Sequence, residues 1–200
     1  GLRFGANNQL GSNVSVIFNP TGSWSFLSLE GYSQTIGNLE FTGPYWNQSV
    51  IGNSDQVSNL GAATLTFYQT SNVTFSGFLR DGWGTTGNIF ALKKMGSATF
   101  TITSPQTDNY SGTTTIGQGA IAAGSVNALS ANSAFILSNN AGVSLNLNGN
   151  NNTAFDGWNK YGDDALAGSN TVSVTGLTID GQPNRTITVA RTGYWEKDLV

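Results

Sequence analysis

The chain has 200 residues, with 8 Lys and Arg against 11 Asp and Glu, a formal charge of −3 and only 10% charged residues. No basic stripe is present to neutralise phosphates, which excludes nucleic acid as a partner and argues against an anionic membrane surface, and no apolar run is long enough to span a bilayer. Cys and His are both absent, so disulfides, thiolate nucleophiles, Ser-His-Asp triads and His-ligated metals are excluded. The length suffices for a sizeable core, and a single all-β domain over residues 1–200 is the expectation. Five Trp, six Tyr and eleven Phe in a background of Gly, Asn, Ser and Thr describe a folded chain of short strands and turns rather than a disordered one. The chain starts at Gly1 without a Met or signal peptide, so either a removed leader or a fragment is expected.

Strand signals recur every eight to twelve residues, the spacing of a sandwich, barrel or solenoid. Val14, Val16 and Phe18 alternate with Ser15 and Ile17; Leu65 and Phe67 alternate with Thr64 and Thr66. Gly82-Trp-Gly-Thr-Thr-Gly87 has the form of a dinucleotide-binding loop, but that loop needs a helix after it. Asn88–Leu92 reads as another strand, so the glycines read as a turn. Phe100 and Ile102 alternate with threonines, and Val143, Leu145 and Leu147 with Ser144 and Asn146. Each pattern sets one apolar face inward. Near the C-terminus, Val172–Val174 and Leu177–Ile179 precede Asp180-Gly181, and Thr186–Val189 follows; Asp-Gly between two such runs predicts an antiparallel hairpin.

The chain also echoes itself. Residues 8–31 and 127–149 both run Asn, Leu, a polar turn, a three-residue apolar strand, a second turn and Leu-x-Leu-x-Gly, about 118 residues apart. Such an echo predicts a piece of a repeating array that returns to the same place.

Ala63-Thr-Leu-Thr-Phe67, Phe75-Ser-Gly77, Lys94-Met-Gly-Ser-Ala-Thr-Phe-Thr-Ile102, Asn109-Tyr-Ser-Gly-Thr-Thr-Thr-Ile116 and the segment from Asn127 to Gly149 follow one another in a set order. In that order they resemble the autotransporter-associated β-strand repeat, also called the passenger-associated transport repeat. The resemblance covers residues 3–150. Ser97-Ala98 departs from the family's usual Gly-Thr, residues 154–200 match poorly, and the membrane-spanning barrel that usually ends an autotransporter is missing from the sequence. The resemblance implies a secreted, non-enzymatic β-solenoid that acts structurally or adhesively at a bacterial cell surface, without cofactors.

Several residues stand out as candidate sites. Leu2 and Phe4, spaced two apart, share one face of an extended strand that a half-repeat leaves without a partner. With Tyr194 and Trp195 of the tail, they are the candidates for self-association. Trp46, Trp83 and Trp158 lie in Gly- or Asn-rich loops and are candidates for stacking on surface glycans, whereas Trp24 lies in a strand and is expected in the core. The loop from Asp156 to Asp164 offers Asp156, Asp163 and Asp164 as weak calcium ligands. With Lys160 and Arg185 the acidic pair mimics the site of a β-helix polysaccharide lyase. A solvated loop is the plainer reading. Six N-x-S/T sequons occur, as expected by chance in so Asn-rich a chain.

The expected fold is a parallel β-solenoid, with a jelly-roll-like sandwich as the alternative. The expected function is an extracellular or cell-surface structural module whose partners are copies of itself, assembled through strand edges into a filament. A glycan-binding module and a polysaccharide lyase are the alternatives.

Overall fold

The structure, a computed structural model, describes residues 1–42, 44–104, 110–138, 140–146 and Asn148, together with the backbone of two short strands, Leu177–Ile179 and Thr186–Thr188. Of Trp46 only the backbone belongs to this set. The first coil of chain carries β1 (Leu2–Arg3) and β2 (Val16–Phe18). The second carries β3 (Ser25–Ser28), β4 (Gln34–Ile36) and β5 (Leu39–Phe41). A 3-10 turn at Trp46–Gln48 leads into the third, with β6 (Ser49–Gly52), β7 (Gly61–Tyr68) and β8 (Val73–Phe75). The fourth has β9 (Phe78–Arg80), β10 (Asn88–Met95) and β11 (Thr99–Ile102). The fifth has β12 (Thr114–Ile116) and β13 (Ala120–Ala123), and the sixth β14 (Phe135–Leu137) and β15 (Ser144–Asn146); β16 (Leu177–Ile179) and β17 (Thr186–Thr188) continue the stack.

Every pairing is parallel and joins a strand to its counterpart one coil away. The chain is therefore a β-solenoid of about six coils, and not a jelly roll, which would pair its strands antiparallel. Three faces run along it. The first holds β1, β3, β6 and β9; the second β4, β7, β10, β12, β14 and β16. The third holds β2 and β5, then β8, β11, β13, β15 and β17.

Parallel register turns the alternation within each strand into columns along the stack. Leu27, Ile51 and Leu79 form one inward column, Val73, Phe100, Ile121 and Leu145 another. All but Val73 of these are sealed from solvent, each worth about 1.5–3 kcal/mol on full burial. An aromatic chain threads the interior: the ring centroids of Phe18 and Phe41 lie 5.2 Å apart, Phe41 and Phe75 4.8 Å, Phe75 and Phe100 5.9 Å, and Phe100 and Phe67 5.0 Å. It also joins β5 to β8 across the break in the third face. The turn from β8 to β9 leaves no room for a side chain at Gly77, where an added Cβ would run into the Ser49 carbonyl and the Phe75 ring.

The coil changes size along the chain. On the second face, successive partners are 31 residues apart from Gln34 to Leu65, 27 from Leu65 to Leu92, 22 from Leu92 to Thr114 and 21 from Thr114 to Phe135. The drop coincides with the end of the first face at β9. The space is closed by Tyr110, Ala128 and Leu129, all buried. The Tyr110 hydroxyl and Thr114 Oγ1 share a hydrogen bond of 2.6 Å, Thr114 and Ser133 one of 2.8 Å, and Ser130 Oγ donates to the Tyr110 carbonyl at 2.6 Å.

Two expectations are corrected. The antiparallel hairpin around Asp180-Gly181 does not form: β16 pairs in parallel with β14, and β17 with β15. A strand laid beside a coil finds a ready row of backbone groups, and that template outweighs the local turn preference of Asp-Gly. The echo of residues 8–31 in 127–149 is real in backbone conformation, since Asn8 and Asn127 (φ 51 and 55) and Glu30 and Asn148 (φ 52 and 50) share left-handed turns. It does not return to the same place. The first copy turns from the third face into the first, through β2 and β3, and the second from the second face into the third, through β14 and β15. The echo is one strand–corner–strand unit used at two corners of the triangle.

Candidate functional site

The end of the stack at β1 and β2 departs from the rest. β1 closes the first sheet at one edge, and β2 pairs only with β5 among the described residues. Leu2 stands opposite Leu27, in the inward column. Yet Leu2 is 40% exposed where Leu27, Ile51 and Leu79 are sealed. Ile17, on β2, is 59% exposed and Val14 beside it is exposed too. A cavity of about 260 Å³ lies at this end, lined by Leu2, Val16, Ile17, Phe18, Phe26 and Leu27 among others. Phe4, paired with Leu2 in the sequence reading, behaves differently: it is 5% exposed and part of the core cluster. Phe4 is thus taken into the core cluster, while Leu2 is left outside it.

The second face at this end is closed. Residues 6–9 run beside β4 and satisfy its edge through side chains rather than as a strand. The Ser33 amide donates to Asn7 Oδ1 at 2.7 Å and the Asn8 amide to the Ser33 carbonyl at 3.0 Å. The buried Gln34 accepts from the Gln9 amide at 2.9 Å and donates to the Ala6 carbonyl at 2.7 Å. Of three faces, two present a strand edge here and one is covered.

The tryptophans divide. Trp83 sits in the Gly82–Gly87 turn and is 61% exposed, as its loop position suggests. That turn is followed by β10, a strand, so it is no dinucleotide loop. Its position is built: the Arg80 guanidinium pairs with Asp55 through two nitrogens, the Trp83 amide donates to Asp55 Oδ1 at 2.8 Å, and Arg80 Cζ lies 5.5 Å from the centre of the Trp83 ring. Trp24 is not a core residue. It precedes β3, is 50% exposed and rests on Phe78, ring centroids 5.6 Å apart, because the register of β3 turns Leu27 rather than its aromatic neighbours inward. Trp46 starts the 3-10 turn. Trp158, the acidic loop with Asp156, Lys160, Asp163 and Asp164, and Arg185, Tyr194 and Trp195 lie outside the described residues. Among the described residues no three Asp, Glu, His or Cys side chains converge as metal ligands, and no helix is long and apolar enough to cross a membrane.

The interior holds polar side chains that alternation alone did not single out. Asn53, Gln69, Asn88 and Lys94 are all buried, and each serves corner backbone groups. Asn53 Nδ2 donates to the Gly61 carbonyl at 2.8 Å, and the Gly31 amide donates to Asn53 Oδ1 at 2.7 Å. Gln69 binds both the amide and the carbonyl of Leu39, at 3.0 and 3.2 Å. Lys94 occupies a column that also holds Ile36, Phe67, Ile116, Leu137 and Ile179. Its ammonium donates to the carbonyls of Gly96 and, at 3.0 Å, Gln118, tying the fourth coil to the fifth. Burial lowers its pKa from the usual range to about 8. A signal was present in the sequence: Lys93-Lys94 breaks the alternation of an otherwise apolar strand just before the Gly96 turn.

Comparison with protein-family models, with curated proteins and with solved structures finds no match to this chain.

Proposed function

We propose that this chain is a non-enzymatic structural or adhesive module of a cell surface or the extracellular space, and that copies of it associate through the strand edges of β1 and β2. The observation that carries the reading is the exposure of Leu2 on the edge strand β1, in an inward column whose members Leu27, Ile51 and Leu79 are sealed, with Ile17 exposed on the outer side of β2, the other edge strand. An open edge offers a row of unpaired amides and carbonyls, and an apolar side chain beside it supplies the driving force for a further strand to add. The surface that fits a coil's upper rim is the lower rim of another coil, so the proposed occupant is a second copy stacked head to tail. Such a contact does not close on itself and propagates as a filament.

The test is the native mass by light scattering, with electron microscopy of the same samples, over a range of concentrations. Association that grows with concentration is expected, and Leu2→Asp with Ile17→Asp should yield monomers with the same circular dichroism. A chain that stays monomeric at every concentration, or a double variant that assembles as well as the parent, overturns the reading.

A further inference from the structure

The outer side of the first face carries an arrangement that the packing of the solenoid does not require. Phe26, Val50 and Phe78 follow one another as register partners on β3, β6 and β9 and point away from the core column of Leu27, Ile51 and Leu79. Val50, between Phe26 and Phe78 in this outer column, is nevertheless buried. Trp24 rests on Phe78, and Trp83 lies over Arg80. Phe78 and Arg80 are two residues apart on one strand, so their Cα atoms are about 7 Å apart. Two exposed indoles thus lean on Phe78 and Arg80, alternate positions of one strand. Neither is held by burial: one leans on a ring, the other on a guanidinium that Asp55 locks through two nitrogens.

Beside them lies a pocket of about 90 Å³, with Phe26, Val50 and Gly52 as an apolar floor and Arg3, Asp55 and Gln56 as polar walls. Its charges are balanced. Arg3 lies 3.7 Å from Glu30 and donates to Gln56 Oε1 at 2.7 Å, while Arg80 pairs with Asp55. A charged ligand would meet no net field here. A ligand with flat C–H faces and hydroxyl edges would meet indole rings and fixed planar polar side chains, the combination of apolar walls and a few placed polar groups that marks a binding site.

We propose that this face binds a neutral glycan, its sugar rings stacked on Trp24 and Trp83 and its hydroxyls bonded by Arg3, Asp55 and Gln56. The site borders the open end of the stack, sharing Phe26 and Leu27 with the cavity there and Arg3 with β1, but its two indoles lie outside that cavity. It is tested by tryptophan fluorescence and calorimetric titration of the full chain with laminarihexaose, cellohexaose and mannohexaose, and with oligogalacturonate as an acidic comparison. At least one neutral hexaose should bind in preference to oligogalacturonate. Trp24→Ala and Trp83→Ala should each weaken binding about tenfold or more, the range of an anchor residue, with melting temperature and circular dichroism unchanged. Ile17→Asp, at the open end, should leave glycan binding as it is. Three results would overturn the proposal: none of the neutral hexaoses binds, oligogalacturonate binds best, or the two tryptophan variants bind as the parent does. Loss of self-association in the tryptophan variants without any glycan affinity would make the patch a contact between copies, and would equally overturn it.

Discussion

The third and fourth coils and the first coil are built from the same kinds of residue and end with different surfaces. Leu27, Ile51 and Leu79 are sealed, while Leu2, in the same column, is 40% exposed. Nothing in the alternation of Gly1 to Phe4 distinguishes it from Phe26 to Leu29. What differs is the coils on either side: the fourth coil, whose β9 also has a single paired strand, is followed by the fifth, whereas the first coil has a neighbouring coil on one side among the described residues. In a solenoid the local sequence settles which way a side chain points, and the stack settles whether it is buried.

That difference should be largest in stability. Phe100 touches two other rings and is sealed; Phe100→Ala should cost about 3–5 kcal/mol and Leu145→Ala about 2–5 kcal/mol, transfer and cavity terms together. Leu2→Ala, at the open end, should cost well under about 1 kcal/mol. Urea unfolding of the three variants under conditions that keep the chain monomeric measures all of them. Comparable losses at Leu2 and Phe100 would mean that the first coil is enclosed as tightly as the fourth.

Much of the fold was legible. The strands around Leu65, Phe100 and Leu145 were readable because a half-buried strand alternates with period two, and that pattern depends on local geometry alone. Their parallel pairing was expected from the resemblance alone, since the strand spacing leaves a sandwich, a barrel and a solenoid open. The hairpin at Asp180-Gly181 was misread because a turn signal is local while the competing template, the exposed edge of β14 and β15, is separated from it by some forty residues of chain. Trp24 was misread for a related reason. Ser25, Phe26, Leu27 and Ser28 carry two adjacent apolar residues, so alternation leaves the phase of the strand open, and only pairing with β6 sets Leu27 inward. Of the candidate sites, the exposure of Leu2 and Trp83 could be anticipated. The sealing of Phe4 and the Asp55–Arg80–Trp83 cluster could not, since they join residues brought together by successive coils.

Two titrating groups that burial perturbs, Lys94 and Tyr110, lie in the middle coils and give the stability of the stack a pH dependence. Lys94 has its folded pKa lowered to about 8 from 10.5 by burial. Between those values the unfolded chain holds a proton that the folded one has lost, so stability rises with pH across that window. Tyr110 has its folded pKa raised to about 12 from 10.0, mainly by burial, with its hydrogen bonds to Thr114 and Ser133 opposing. Its contribution is full below pH 10 and falls away as pH climbs through 12. The expected profile climbs above about pH 8 and turns down above about pH 10, the two limits being set by these groups. Lys94→Met should flatten the climb and Tyr110→Phe the decline. A parent whose stability is level from pH 8 to 10 would show that the corner carbonyls of Gly96 and Gln118 compensate the ammonium fully.

The smallest effect should come from the closed face of the first coil. Asn7 and Gln9 cover the edge of β4: the Ser33 amide donates to Asn7 Oδ1, and the Gln9 backbone amide donates to Gln34 Oε1. Both side chains are exposed, so water replaces whatever Asn7→Ala removes, and the change should cost no more than about 1 kcal/mol. Its consequence is local. The Ser33 amide, just before β4, loses its acceptor, and one position of the covered edge opens. Hydrogen exchange at Ser33 should accelerate while the amides of β7 one coil below keep their protection. If association uses the edges, the variant should also assemble at lower concentration than the parent, since an unpaired amide on an exposed strand is what an incoming strand binds. Unchanged exchange at Ser33 would mean that the remaining bonds of residues 6–9, from the Asn8 amide to the Ser33 carbonyl and those with Gln34, hold the edge without Asn7. The first coil would then resemble the interior more than its exposed Leu2 suggests.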